Sequence, residues 1–577
     1  MKKTLIGIML VLSAGLLGAQ ERTVERTYVS TDRDVYVAGE RVWCSAFCVT
    51  PAGRLSNVSR VAYLELHSAE GMAATARIAL ENGRGAGAIE LPGTLPTGRY
   101  RLIAYTAQNK AEAGYDYEGI AAKTLSVFNV LSNDRVKDGV EVVSPEAYAS
   151  MRSPVGAGDD ASVGAGDDAS VGALAFSGVE MQWRDGVLTL RNTGAEAVTL
   201  SVSAWHDDGI LPAANPGIAD FLSGVRAVGP ARLDPAVLPD YEGEVIRGRV
   251  VGFSEEMIPH LTGKYAFISS PSDKSDVYAA PIQEDGSLVF FTANIYGNKE
   301  CICEIEGIDP KLSCHVELAS PYVNAPVAAP GPLPLSESLS GKLQQRSVAM
   351  QLERRFAADT LYDFLPRRFD GLFDEDVVVR YILDDYTRFT TMEEIFIEFI
   401  PEIRVRKAAG GVPEIKVRLD EMPASAVFSA GKALMMLDGV PVFDHAKIMQ
   451  YDPLLVESVD IYPRTHFIGN RIFEGVVNFV TYKRNLPSFQ FDGNARVVDY
   501  EGVCIPMAFT GEAIAGNGGY PDYRQTICWH PLVELEPGAS LEIACPAPLY
   551  NGDFEAVAEG MTASGKAVGS HIRFEIR

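Results

Sequence analysis

Apolar residues alternate with polar ones through most of the first 320 positions, and a three-to-four-residue spacing takes over only beyond residue 340. VYVAGERVWCSAFCV (35–49), VAYLELHS (61–68) and GRYRLIAYT (98–106, after the turn LPGTLPT) predict strands of a β-domain over 20–130. VEMQWRDGVLTLRNTGAEAVTLSVSAWHDD (179–208) predicts a further β-domain at 175–238. EVIRGRVVGF (244–253), KYAFISSP (264–271) and GSLVFFTANIYG (286–297) predict a β-sandwich at 239–320. Prolines at 321, 326, 330, 332 and 334 then impose an extended spacer over 321–340, because proline lacks the amide that helices and central strands need.

A helical segment follows at 341–401. SVAMQLERRF (347–356) puts Val348, Leu352 and Phe356 on one helical face. Thr391 and Glu394 form a capping box, and Met392, Ile395, Phe396, Phe399 and Ile400 make an apolar stripe that Pro401 ends. EIRVRK (402–407) and EIKVRL (414–419) flank AAGG as a hairpin. ALMMLDG (433–439) predicts a buried strand with a turn at Asp438-Gly439. Asp444 caps the short helix AKIMQY, and VESVDIYP (456–463) and GVVNFVTYK (475–483) are two more strands. Within 486–577, PDYRQTICWHPLVELEPG (521–538), GDFEAVAEG (552–560) and SHIRFEIR (570–577) predict a C-terminal β-domain. The fold class expected is multidomain and mainly β, several Ig-like sandwiches with one small α+β unit at 402–485.

Two stretches resemble known families. STDRDVYVAGERVW (30–43), followed by LPTGRYRLIAYT (95–106), resembles the second β-sandwich of the alpha-macroglobulins and their bacterial relatives. The strands Leu437-Asp438-Gly439-Val440-Pro441-Val442, Val456-Glu457-Ser458-Val459-Asp460-Ile461 and Gly475–Lys483 resemble, in that order, the plug domain of TonB-dependent receptors. A receptor barrel of 22 strands, each about 9–11 residues long, does not fit in residues 486–577. The combination resembles exported Bacteroidetes proteins that pair a macroglobulin-like domain with a plug-like domain and lack the barrel. The plug resemblance implies outer-membrane association and a protein partner in the outer membrane or periplasm.

The N-terminus adds an address. Lys2 and Lys3 precede an apolar run from Leu5 to Leu17, then Gly18 and Ala19, which predicts a signal peptide (1–19) and a mature chain from Gln20. No cysteine stands at the junction, so no lipid anchor is expected, and no later apolar stretch is long enough to span a bilayer. A net charge of −25 repels phosphate backbones, which argues against a nucleic-acid partner.

The chemistry-bearing residues point to structural roles. Cys44 and Cys48 sit four residues apart on one strand, about 13 Å, beyond disulfide reach. Cys301 and Cys303 share a strand face, so the eight cysteines read mainly as buried thiols. None is followed by glycine, so the Cys-Gly-Glu-Gln thioester of trapping macroglobulins is absent. GMTASGKA (560–567) falls one residue short of a P-loop, with Ala567 where a hydroxyl would hold magnesium, and reads as a hairpin turn. Of eight scattered histidines, only His206-Asp207-Asp208 resembles a ligand cluster, and adjacent strand residues face opposite ways. Asp438, Asp444 and Asp452 read as turn, cap and pre-proline residues. No catalytic, cofactor-binding or metal-binding residue is therefore assigned, and no cofactor is implied. The expectation is a non-enzymatic envelope binding or scaffold protein. The alternatives are an envelope hydrolase with a site at a domain junction and a non-covalent macroglobulin-like protease inhibitor.

Within the 131–174 segment, VGAGDDASVGAGDDAS (155–170) is a tandem octapeptide. Calcium-binding β-helix repeats have a nine-residue period and stack in many copies, so this one reads as a linker. Deleting 155–170 should shift the melting temperature by no more than a few degrees. Calcium-dependent stabilisation that disappears with the deletion would show a built site instead.

Overall fold

Strands dominate the architecture, and strands distant in sequence repeatedly share a sheet. The computed structural model describes residues 25–110, 122–131, 139–152, 178–226, 238–254, 260–271, 276–308, 314–356, 362–365, 378–408, 410–420, 428–509 and 521–577. The predicted signal peptide and the tandem repeat lie outside these residues. The chain divides into two compact units, Met1–Tyr241 with Tyr322–Pro366 and Cys504–Arg577, and Glu242–Pro321 with Arg367–Val503.

In the first unit the alternation at 26–128 builds a sandwich. Arg26–Thr31, Arg41–Val49 and Arg84–Glu90 form one sheet. Val35–Val37, Lys123–Phe128, Gly98–Thr106, Val61–Ser68 and Gly71–Ala79 form the other, in that order. Every second residue points inward: Val42, Cys44, Ala46 and Cys48 meet Leu64, Leu66, Ile78 and Leu102 in one core. The opposite face of the five-stranded sheet is also covered, since Tyr63, Glu65 and His67 are fully buried. Alternation predicts that row to be wet, so the chain must supply a lid for it.

The same unit contains a second sandwich assembled from both ends of the sequence. Val198–His206 pairs with Thr526–Leu535 along one edge and Gly552–Thr562 along the other, and Ala567–Ile576 completes that sheet. Ser540–Ala544 joins Val179–Arg184 and Val187–Asn192 in the facing sheet. The segment 175–238 and the part of 486–577 that follows Val503, read as separate domains from sequence, thus form one core through Leu188, Leu200, Val202, Ile543 and Phe554. The three strands of 175–238 fall short of two packed layers, so they need the later strands. GMTASGKA is the hairpin turn expected, with Gly565 at φ 88° and strand on both sides. Helix Ile218–Arg226, which strand patterning missed, buries Ile218, Phe221, Leu222 and Val225 against Tyr28 and Phe47.

Helix Ser340–Phe356 buries a different face from the one its periodicity suggested. Val348 and Phe356 are 51% and 54% exposed, whereas Leu343, Arg346, Ala349 and Met350 are buried. The roll is set by Arg346, which donates to both oxygens of Asp208 and to the Val35 carbonyl. Leu339, Leu343 and Met350 then continue that face into a cluster with Val35, Val37 and Phe128. The helical segment expected at 341–401 is accordingly divided, because its second helix belongs to the other unit.

In the second unit, Ser287–Phe291, Val245–Val251 and His315–Leu318 face Asp276–Pro281, Tyr265–Ser270, Asn298–Ile305 and Arg496–Glu501, the last strand coming from well beyond 320. Beside this sandwich lies a mixed five-stranded sheet in the order Val379–Ile382, Val456–Ile468, Arg471–Thr481, Leu434–Leu437, Val440–Val442. Leu434–Leu437 runs parallel to Arg471–Thr481 and is buried on both faces, which accounts for its unbroken apolar run. Met435 and Leu437 face Met392, Ile395, Phe396 and Ile400. Leu434 and Met436 face Phe267 and Val277 of the sandwich. The Thr391 cap accepts from the Glu394 amide as expected. The predicted hairpin is present as Ile403–Lys407 paired with Pro413–Val417.

The stripe Met392–Ile400 is therefore the cover of one face of this sheet, with Phe396 centred 6.0 Å from Phe479. Phe396→Asp should destabilise this unit by about 3–5 kcal/mol, from a lost aromatic and a buried charge. Limited proteolysis should then cleave within 402–485 while 26–106 stays protected. Wild-type resistance of 402–485 would show that the helix is not its cover.

Candidate functional site

The residues singled out from sequence are held by structural partners. In His206-Asp207-Asp208, the imidazole packs on Tyr550 and Phe554 at 4.6 and 5.3 Å between ring centres. Burial holds its pKa below the usual histidine range. Asp207 accepts from the Gly209 amide at 2.8 Å, and Asp208 is committed to Arg346. Burial works against the Asp208 charge, but the Arg346 guanidinium and its hydrogen bonds outweigh it and lower the pKa. Among the described residues, no group of three His, Cys, Asp or Glu side chains is placed to hold a metal ion.

Asp438 is a turn residue and more. Its backbone is left-handed at φ 49° and leads into Gly439 at φ 83°. Its carboxylate accepts from the Thr481 amide and hydroxyl (2.6 and 2.7 Å) and from the Leu486 amide (2.8 Å), so it ties two strand ends together. Asp444 caps helix His445–Gln450 through the Ala446 amide, and Asp452 caps Pro453–Leu455 through the Leu454 amide, each at 2.9 Å. None of the eight cysteines is in a disulfide; seven are buried and Cys504 is half-buried. Burial pushes Cys301 and Cys303 up to about 12, far from a reactive thiolate.

STDRDVYVAGERVW folds into an ionic knot that lines a concavity of the first unit together with Met350, Phe509 and Thr526. Arg33 donates to Glu40 (3.0 Å), to the Val35 carbonyl (2.7 Å) and to the Thr526 hydroxyl (3.1 Å). Asp32 accepts from the Tyr36 hydroxyl (2.8 Å), the Trp43 amide (3.0 Å) and Thr526 (2.5 Å), and burial raises its pKa. These donors and acceptors are spent on joining a strand–turn–strand to the C-terminal segment. The arrangement is suited to holding shape, with a charge-assisted bond at every arm.

Exposed apolar side chains gather at one end of the mixed sheet. Ile382, Tyr386, Leu454 and Tyr482 are 41–48% exposed around a polar hub. Within the hub, Arg388 donates to the Pro453 and Val456 carbonyls at 2.7 and 3.0 Å. The Tyr482 hydroxyl lies 2.7 Å from both Asp384 oxygens, and this bond raises its pKa. Tyr386 stacks on Phe399 at 4.5 Å with 7° between planes, so its orientation is set from below. Sequence reasoning missed this patch, because its members come from three separate turns that only the sheet brings together. Rigid, partly wet aromatics of this kind suit a protein interface.

No protein-family profile matches the chain, and no curated protein matches it. Among solved structures, methylamine-reacted alpha-2-macroglobulin from Salmonella is similar at 9% identity and a TM-score of 0.23, over 97% of this chain and 40% of that one. Trypsin-activated alpha-2-macroglobulin from Escherichia coli gives 9%, 0.23, 96% and 42%. Dimeric latent PorU from Porphyromonas gingivalis gives 9% and 0.16, over 52% of this chain and 33% of PorU. The chain thus spans about two fifths of the macroglobulins it overlays. The likeness is weak and concerns β-rich structure alone.

His445 gives the mixed-sheet unit a pH dependence. Its Nδ1 accepts from the Ile415 amide at 2.9 Å, and burial, helped by Lys432, holds its pKa down at about 4. A depressed folded pKa means that the unfolded chain binds the proton first. The stabilisation is complete above pH 6.5 and is lost as pH falls toward 4, at most about 2–3 kcal/mol. Thermal unfolding of this unit should drop across that window, and His445→Gln should flatten the drop. An unchanged profile in the variant would assign the acid sensitivity elsewhere.

Proposed function

We propose that this chain is a non-enzymatic binding or scaffold protein of the bacterial cell envelope, exported to the periplasm or outer membrane, that meets a protein partner through the mixed-sheet unit. The observation that carries this reading is the exposed patch of Ile382, Tyr386, Leu454 and Tyr482, fixed on a hub of hydrogen bonds. The plug-like motifs at 437–483 and the predicted signal peptide support the envelope setting and suggest an outer-membrane transport or secretion assembly. Among the described residues, no helix is long and apolar enough to cross a membrane.

A photo-crosslinking residue at Leu454 or Tyr482, in the native cell, should capture a discrete envelope protein. The same residue at exposed Glu542 should not. Ile382→Asp, half-exposed in the fold, should abolish capture without shifting the melting temperature by more than a few degrees. Equal capture from Glu542, or capture unaffected by Ile382→Asp, would rule out this patch as the interface.

A further inference from the structure

The lid on the outer face of the first sandwich is the proline-rich segment itself. Tyr63, Glu65 and His67 project from one face of strand Val61–Ser68, with Tyr105 opposite Tyr63 on the next strand. The two tyrosine rings stack at 5.6 Å with 13° between planes, and the Lys110 ammonium sits 3.5 Å over Tyr63. Glu65 is 0% exposed, and its carboxylate gathers donors from two directions. From the sheet come the Tyr105 hydroxyl and His67 Nε2, the latter at 2.7 Å. From the segment come the amides of Val323 at 2.9 Å and Asn324 at 3.2 Å. Asn324 turns away in the left-handed region at φ 49°, while Tyr322 lies edge-on to Tyr63 and under Arg77.

Pro326, Pro330 and Pro332 have no amide to donate, and residues 325–332 are half-buried or exposed throughout. The far end is fastened by Leu333–Leu335, which pairs in parallel with the three residues Val140–Val142. The sandwich core of Leu64, Leu66, Leu102 and Ile78 lies on the other side of the sheet and takes no part. The same face also fastens Asp240, through the Tyr63 hydroxyl (3.0 Å), and the sheet edge holds the Cys504 amide through the Arg77 carbonyl (2.7 Å).

We propose that Tyr322–Leu335 is a releasable strap whose catch is the Glu65 carboxylate. It opens as one piece while the sandwich beneath stays folded, and opening uncovers the Tyr63–Tyr105 face. This inference stands independently of the partner reading above. A buried carboxylate that accepts two consecutive strap amides is a strong link at this end, and of the strap residues Leu333, at the fastened far end, is the one buried in a core.

Hydrogen exchange on the full chain tests it. Glu65→Gln keeps the shape and removes the charge, so exchange across 322–335 should accelerate about 10–100-fold, the loss of charge-assisted bonds to two amides. Exchange within Gly98–Thr106 should stay at the wild-type rate. Unchanged exchange over 322–335 overturns the proposal, as does equal acceleration through Val61–Ser68 and Gly98–Thr106, which would make Glu65 a support of the sandwich. If Glu65→Gln does not fold, Tyr105→Phe carries the test, since it removes one donor and leaves the carboxylate. Faster exchange confined to 322–335 is then the expected result, and no change there overturns it.

Discussion

A β-strand leaves a row of backbone donors and acceptors on each edge, and this molecule meets that demand with strands from distant parts of the chain. Val198–His206 is paired on both sides only because the chain returns at 526–535 and 552–562. Asn298–Ile305 likewise takes its outer partner from Arg496–Glu501. Neither sandwich closes until late residues arrive, so long-range pairing dominates the contacts. Loop-closure entropy must be met before those contacts form, which favours slow folding.

Buried charge does the fastening at the places where chain segments meet. Asp32 and Arg33 bind the strand–turn–strand at 30–43 to Thr526. Asp208 and Arg346 set the roll of a helix from another part of the chain, and Asp438 joins the ends of two strands. Each costs desolvation and is repaid only while every arm is occupied. Such groups specify one arrangement more than they add net stability. Glu65 differs from the others because two of its donors belong to a proline-rich segment whose residues 322–332 are half-buried or exposed.

The mixed-sheet unit has both faces of its inner strand covered from within its own compact unit. Its inner strand is apolar on both sides, and the cover comes from helix Met392–Glu398 on one face and from Phe267 and Val277 on the other. The sheet end bearing Tyr386, Leu454 and Tyr482 stays partly open, as do Phe467 and Ile472 at the hairpin end, because turns bury large side chains poorly. A rigid frame with one half-wet aromatic surface suits recognition of a partner.

Sequence alone determined what depends on near neighbours. Alternation placed the inward rows of the first sandwich, Thr391 with Glu394 and Asp444 placed two helix starts, and Asp438-Gly439 placed a turn. The burial of Cys44, Cys48, Cys301 and Cys303 outside any disulfide followed from spacing in the same way. Tertiary structure decided what depends on distant partners. Val348 and Phe356 form a legitimate helical face, yet Arg346 turned the helix the other way because Asp208 lay within reach. Glu65 stands on the polar side of an alternating strand, and its burial depends on partners as distant as Val323 and Asn324. The patch around Tyr482 has no local signal, since three turns contribute to it. Periodicity reports which side of an element is apolar. Which element arrives to cover it is set by long-range pairing, and a single sequence carries no local record of that.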